Sequence, residues 1–277
     1  MGTKVRGLAL PMLFLGGALG LQSGIVVAGE EAKGSGAHWG YEGETGPANW
    51  GKMGFPACAE GKNQSPIDIN AAAEVTLDPI RFDYKPAPLQ VVNNGHTIQF
   101  NLPPGSTITI GGKSFTLAQF HFHGGSEHTV KGKGFPMELH LVHKAEDGEL
   151  AVVGILLAAA ESESAPVGHG AAANPTLERV FGALPAMAGL TLTSDQQIDP
   201  AALLPHDRAY FHYKGSLTTP PCSEGVNWFV MGEPVTITRK QLLHYASVFD
   251  NNARPPQPLH SRNLYHGGKG GAAAAGH

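Results

Sequence analysis

Between Gln119 and His143 the chain reads Q-F-H-F-H-G-G-S-E-H-T-V-K-G-K-G-F-P-M-E-L-H-L-V-H, and five of the fourteen histidines fall inside it. Two runs in this stretch alternate with a period of two. In a strand, side chains at i and i+2 share a face. The first run therefore puts Gln119, His121 and His123 on one side. In the second run Met137, Leu139 and Leu141 share a side, with Glu138, His140 and Val142 opposite them. If the two runs pair antiparallel through the Gly-rich link between them, His140 joins His121 and His123. His143 falls on the apolar side with Leu139 and Leu141, which reads as a hydrogen-bonded core histidine rather than a ligand.

Three neutral imidazoles with one position left open make the zinc arrangement that does chemistry rather than scaffolding. A ligating imidazole also needs its other N–H held by an acceptor. Gln119 stands two residues before His121 and Glu138 two before His140, each on its histidine's own face. An H-x-H pair alone is a weak signal that a satisfied, histidine-rich core face would also give. The third in-phase histidine and the two in-phase polar partners favour a metal, and zinc over cobalt or iron by ligand type.

The chain has 277 residues and a formal net charge of −4. That balance leaves no basic footprint for nucleic acid. Charged residues make up only 15 %, so the chain needs a real core. Lys4 and Arg6, the apolar Leu8–Leu21 run and the small-residue Val26-Val27-Ala28 site read as a secretory signal peptide over residues 1–28. The apolar run is short and Gly-rich for a membrane anchor. The expected product is an exported protein, periplasmic or secreted, that does not span the membrane after cleavage and whose oligomeric state, a homodimer included, is open. Cys58 and Cys222 are the only cysteines. In an exported chain they allow one disulfide, the alternative being two buried thiols.

Along the chain, Pro79–Tyr84 and Leu89–Asn93 read as short strands. His96–Leu102 and Thr107–Ile110 read as a hairpin across Pro103-Pro104-Gly105. The apolar run within Glu149–Ala160 reads as a strand buried on both faces. Residues 158–173 read as a surface loop with an idle His169. Asn174-Pro175 predicts a helix start, with Leu177, Val180, Phe181 and Leu184 at helical spacing before Pro185. Ala209–Tyr213 and Val226–Met231 read as strands. Thr238-x-x-Gln241 predicts a capping box, with Leu242, Ala246 and Phe249 as the helix's apolar side. The Gly/Ala-rich residues 267–277 read as a flexible tail. There is no repeat and no linker, so residues 29–266 form one mainly β domain with a few short surface helices.

The histidine segment resembles the zinc site of the α-class carbonic anhydrases. The same resemblance is carried by N-Q-S-P-I-D-I from Asn63, N-N-G-H-T-I-Q-F from Asn93, S-L-T-T-P-P-C from Ser216 and N-x-R-P-x-Q-P-L from Asn252, in the family's order. It implies a central, twisted, mostly antiparallel sheet with the metal in a cone-shaped cleft. It also implies a lyase that reversibly hydrates CO2 to bicarbonate and a proton by attack of a zinc-bound hydroxide, with weak ester hydrolysis on the side. Acidification of zinc-bound water in this family is the standard example of such chemistry.

By the same resemblance His121, His123 and His140 are the metal ligands. Thr218 accepts from the hydroxide and donates to Glu127, and His96 passes protons to buffer. Val142, Val152, Leu217, Val226 and Trp228 form the apolar wall for CO2, with Thr219 beside them. Read without it, Glu127 is a solvated charge, Thr218 a turn residue, His96 a surface histidine and the wall plain core. Tyr41 matches a tyrosine at the cleft mouth, and His128 and Arg254 match buried structural positions. Two departures bear on packing: Gly124-Gly125 follow H-F-H where animal members mostly carry Trp, and Ala253 stands where they often have another. An acatalytic binding module on the same fold would lack one or more metal histidines. A serine hydrolase would need a G-x-S-x-G elbow, which is absent.

Overall fold

The apolar Leu150–Leu157 run becomes the middle of a sheet because neither of its faces can meet water. The computed structural model describes residues 38–160 and 174–268. The signal segment, His169 and residues 269–277 lie outside the described residues.

Among the described residues, fifteen strands follow in chain order. They are β1 (Asp68–Ile69), β2 (Ala73–Glu74), β3 (Arg81–Asp83), β4 (Ala87–Asn93), β5 (Ile98–Asn101), β6 (Thr107–Ile110), β7 (Lys113–Gly124) and β8 (Thr129–Val130). After them come β9 (Met137–Lys144), β10 (Leu150–Ala159), β11 (Thr191–Ile198), β12 (Tyr210–Ser216), β13 (Glu224–Met231), β14 (Val235–Ile237) and β15 (Tyr265–Gly267). The helices are α1 (Ala57–Glu60), α2 (Pro175–Phe181) and α3 (Arg239–Ala246), with short 3-10 turns besides. The main sheet runs β11-β4-β5-β7-β9-β10-β13-β12-β15-β2. Most neighbours are antiparallel; β10 runs parallel to β13 and β14, and β15 to β2. Strand β15 takes in Gly267, one residue past the expected domain end, through its pairing with Tyr210.

The back face of the sheet carries the large core, including Phe100, Phe120, Phe122, Leu139, Leu141, Val153, Ile155 and Phe229. Helices α2 and α3 cover it. In α2 the Asn174 side chain accepts from the Thr176 and Leu177 N–H groups, and Leu177, Val180 and Phe181 are buried. In α3 both halves of the Thr238–Gln241 capping box form. The anchor of α3 differs from expectation: Tyr245 is fully buried, while Leu242, Ala246 and Phe249 are only partly so. The front face carries a smaller apolar cluster, with Val142, Val152, Val226, Trp228 and Tyr213, beside a polar cleft.

The expected hairpin between residues 96–102 and 107–110 does not form. Strand β5 pairs with β4 and with Gln119–His121 of β7, whereas β6 pairs with β3 and with Lys113–Thr116 of β7. The two segments lie end to end along one edge of a long strand. Pro103-Pro104-Gly105 carries the chain past its break, where Leu102 donates to Ala118 O and Leu117 to Ser106 O. At that place β7 has a bulge between Leu117 and Gln119.

Candidate metal centre and cleft

The sheet register brings the histidines together. Strands β7 and β9 are antiparallel, with His121 opposite His140, His123 opposite Glu138 and Gln119 opposite Val142. One nitrogen from each of His121, His123 and His140 lies within 4.8 Å of the others. The outer nitrogens are each held. His121 Nδ1 meets Gln119 Oε1 at 2.8 Å, and His140 Nε2 meets Glu138 Oε1 at 2.9 Å. His123 Nδ1 meets the carbonyl of Asn252 at 2.7 Å. A carbonyl or carboxylate can only accept, so the tautomers are fixed, and Nε2, Nε2 and Nδ1 face one another. His123 Nε2 is buried with no hydrogen-bond partner. Such an orphan in a polar site is what a metal ligand looks like without its metal.

Burial lowers the pKa of all three rings. His121 lies well below the usual imidazole range and His123 falls to about 4; His140 is lowered too, against the attraction of Glu138. Burial thus shifts all three toward the neutral form that ligation requires. The donor set therefore fits a zinc ion, with His121, His123 and His140 to hold it.

Glu138 does more than steady His140. Its Oε1 also takes His128 Nδ1 at 2.7 Å, and Oε2 accepts the backbone N–H groups of Glu127 and His128 at 2.9 and 2.8 Å. Burial alone would raise its carboxyl, but His128 and His140 beside it hold it well below the usual range. His128 completes the chain by meeting Tyr213 OH at 2.7 Å, so it is buried with both ring nitrogens hydrogen-bonded. His143 behaves as a core histidine. It lies between Tyr84 OH at 2.8 Å and Ala151 O at 3.2 Å, with burial lowering it to about 3.

Glu127 is wholly buried. Its Oε1 accepts the backbone N–H of Arg254 at 2.9 Å. Its Oε2 stands 3.5 Å from His123 Nε2 and 3.9 Å from His140 Nδ1. Burial raises the carboxyl to about 7 against the pull of His140, Arg254 N–H and the Thr218 hydroxyl. Thr218 is thus close enough to act on Glu127, although no bond of standard geometry reaches Oε2. Tyr41 OH is likewise buried without a partner, within electrostatic reach of Glu127. Thr219 is half-buried next to Thr218. The Thr218 loop is tied to the N-terminal segment by the Cys58–Cys222 disulfide, with Cα atoms 5.1 Å apart. Arg254 braces the same junction from inside, donating to Gln64 Oε1, Ser65 O and Cys58 O.

The five apolar wall candidates belong to one cluster on the face of the histidines, Leu217 at its partly exposed edge. Trp228 lies edge-on to His140 with ring centres 4.8 Å apart. His96 is half-buried, with its ring flat against Trp39 at 3.6 Å and 5.6 Å from His38. Sequence reasoning missed two groups here. The Asn252 carbonyl that holds His123 has no side-chain signature. Tyr245 hides in a helix whose apolar spacing pointed to its neighbours.

The model of the eukaryotic-type carbonic anhydrases matches residues 45–267. A carbonic anhydrase of Pectobacterium carotovorum is 42 % identical over 232 residues, 83 % of this chain and 91 % of that protein. The α-carbonic anhydrase of Thermovibrio ammonificans, solved with the inhibitor sulfanilamide, superposes with a TM-score of 0.77 at 43 % identity over 83 % of this chain and 99 % of that one. The Photobacterium profundum α-carbonic anhydrase gives 0.74 at 46 % identity over 82 % of this chain and all of that one. With histidines, sheet and relatives in agreement, the chain belongs to the α-class carbonic anhydrases, a family of lyases that hydrate CO2.

Proposed function

We propose that this chain catalyses the reversible hydration of CO2 to bicarbonate and a proton as a zinc enzyme, with His121, His123 and His140 holding the metal. One observation carries the reading: three neutral imidazoles, each gripped from outside by a separate acceptor, turn their remaining nitrogens on one point, where His123 Nε2 is buried and unpaired. Zinc bound there would supply the Lewis acidity that makes a hydroxide nucleophile available from water near neutral pH.

The chain's own groups do the rest. Arg254 N–H occupies Glu127 Oε1, which leaves Oε2 to accept the Thr218 proton. A threonine that donates in this way can only accept from the attacking oxygen, and so aims its lone pair at the substrate. The cluster of Val142, Val152, Leu217, Val226 and Trp228 offers a small, weakly polar molecule an apolar wall and excludes competing water. His96, at the margin against Trp39, passes the released proton to buffer, since imidazole is the side chain that titrates near neutrality. Weak hydrolysis of activated esters would follow from the same nucleophile.

The disulfide and the exported bacterial pattern of residues 1–28 support action outside the cytoplasm, in the periplasm or beyond. No helix among the described residues is long and apolar enough to cross a membrane. The deciding experiment is stopped-flow CO2 hydration before and after zinc is stripped and restored. Activity that leaves and returns with zinc is expected; a folded, zinc-loaded chain without hydration activity would overturn the reading.

A further inference from the structure

Three side-chain donors meet on one backbone carbonyl, that of Phe122, which lies between His121 and His123. Thr97 Oγ1 reaches it at 2.6 Å, Tyr245 OH at 2.6 Å and Asn252 Nδ2 at 3.1 Å. The residue pairing of β5 with β7 ends at Gln99–His121, so this carbonyl lies where strand gives way to side chains. On the other side of His123, the N–H of Gly124 donates to Asn252 Oδ1 at 2.6 Å. The peptide units before and after His123 are therefore both held, while the Asn252 carbonyl holds its ring.

Tyr245 reaches this position because residue 124 has no side chain. A Cβ there would stand 3.3 Å from Tyr245 Cε1 and 3.2 Å from Phe249 O. The phenol ring lies over the glycine, and its hydroxyl accepts from Asn252 Nδ2 at 3.2 Å while donating to Phe122 O. The Asn252 amide also reaches the His96 carbonyl at 3.0 Å, so one side chain ties the His96 loop to the histidine strand.

We infer that the Tyr245 and Thr97 hydroxyls are positioning residues for metal retention, fixing the peptide between His121 and His123 so that both rings stay aimed at the ion. The inference rests on the zinc reading above. Outer groups that orient ligands typically change metal affinity 10–100-fold when removed, and here two hydroxyls act on a single carbonyl.

The test is zinc affinity by competition with a chelator, on the full chain and on Tyr245→Phe, Thr97→Val and Thr97→Ser. Loss of either hydroxyl should weaken zinc binding roughly 10-fold, and Thr97→Ser, which keeps the hydroxyl, should bind within about twofold of the parent. Thermal midpoints of the metal-free forms are measured alongside. Midpoints that fall in Tyr245→Phe and Thr97→Val while zinc affinity stays at the parent value would overturn the inference and leave a purely structural role. Thr97→Val reads the same carbonyl from the strand side should Tyr245→Phe fold poorly. A parent chain that takes up no zinc would overturn the zinc reading itself, and that result is in hand before any variant is compared.

Discussion

At the scale of single residues the site separates aim from bond-making. His140 has its outer nitrogen on Glu138 and its inner one toward the cleft. Replacing it with Ala should abolish zinc retention and hydration together, measured by metal content and stopped flow. His96 has its ring against Trp39, and His96→Ala should keep its zinc and lose turnover mainly in weak buffer, with recovery when imidazole is added. His143 sets a pH dependence. Burial lowers it to about 3 from the usual 6.5, so below pH 6.5 the unfolded chain takes up a proton that the folded chain refuses. Its contribution is fully present above pH 6.5 and is lost as pH falls toward 3, by about 1.4 kcal/mol per pH unit. In His143→Gln the slope of urea-unfolding stability against pH should be shallower by up to one proton in that window. Among residues, those legible from sequence announced themselves by phase: Gln119 and Glu138 each precede their histidine by two. The Asn252 carbonyl could not be seen, because every residue has a carbonyl and only the fold brings this one across 129 positions to His123.

At the scale of elements, burial decided what was legible. Strand β10 is buried along nearly its whole length and was plain as an unbroken apolar run. Strand β11, T-L-T-S-D-Q-Q-I, has seven exposed residues at the sheet's edge and showed no alternation to read. The mistaken hairpin had the right strands and the wrong partners: alternation tells which face a residue takes, not which strand lies beside it. Strand β10 also supports the site through a glycine. A methyl at Gly154 would sit 3.1 Å from Glu138 Oε1, the oxygen that holds His128 and His140. Gly154→Ala should push that carboxylate aside and lower zinc affinity roughly 10-fold in chelator competition.

At the scale of the molecule, the cleft is closed by parts far apart in sequence. The disulfide spans 164 positions and joins the N-terminal segment to the loop of Thr218 and Thr219. In the chain-entropy model a loop of that length stabilises by about 5 kcal/mol, as a ceiling. Replacing both cysteines with Ser should lower the unfolding midpoint correspondingly, and should lower hydration activity at temperatures where the folded fraction is still complete, since the Thr218 loop loses its tether. The Arg254 bonds to Gln64, Ser65 and Cys58 would keep that loop partly in place, so residual activity is expected.

The bulge in β7 has a meaning for how such a site can change. Before it, odd-numbered Phe115 and Leu117 face the back core; after it, even-numbered Phe120 and Phe122 do, and odd-numbered His121 and His123 face the cleft. The strand thus changes parity once, between Leu117 and Gln119. Side chains at the crossing can be exchanged with little effect on which way the histidines look, but a change of length there reverses every residue downstream.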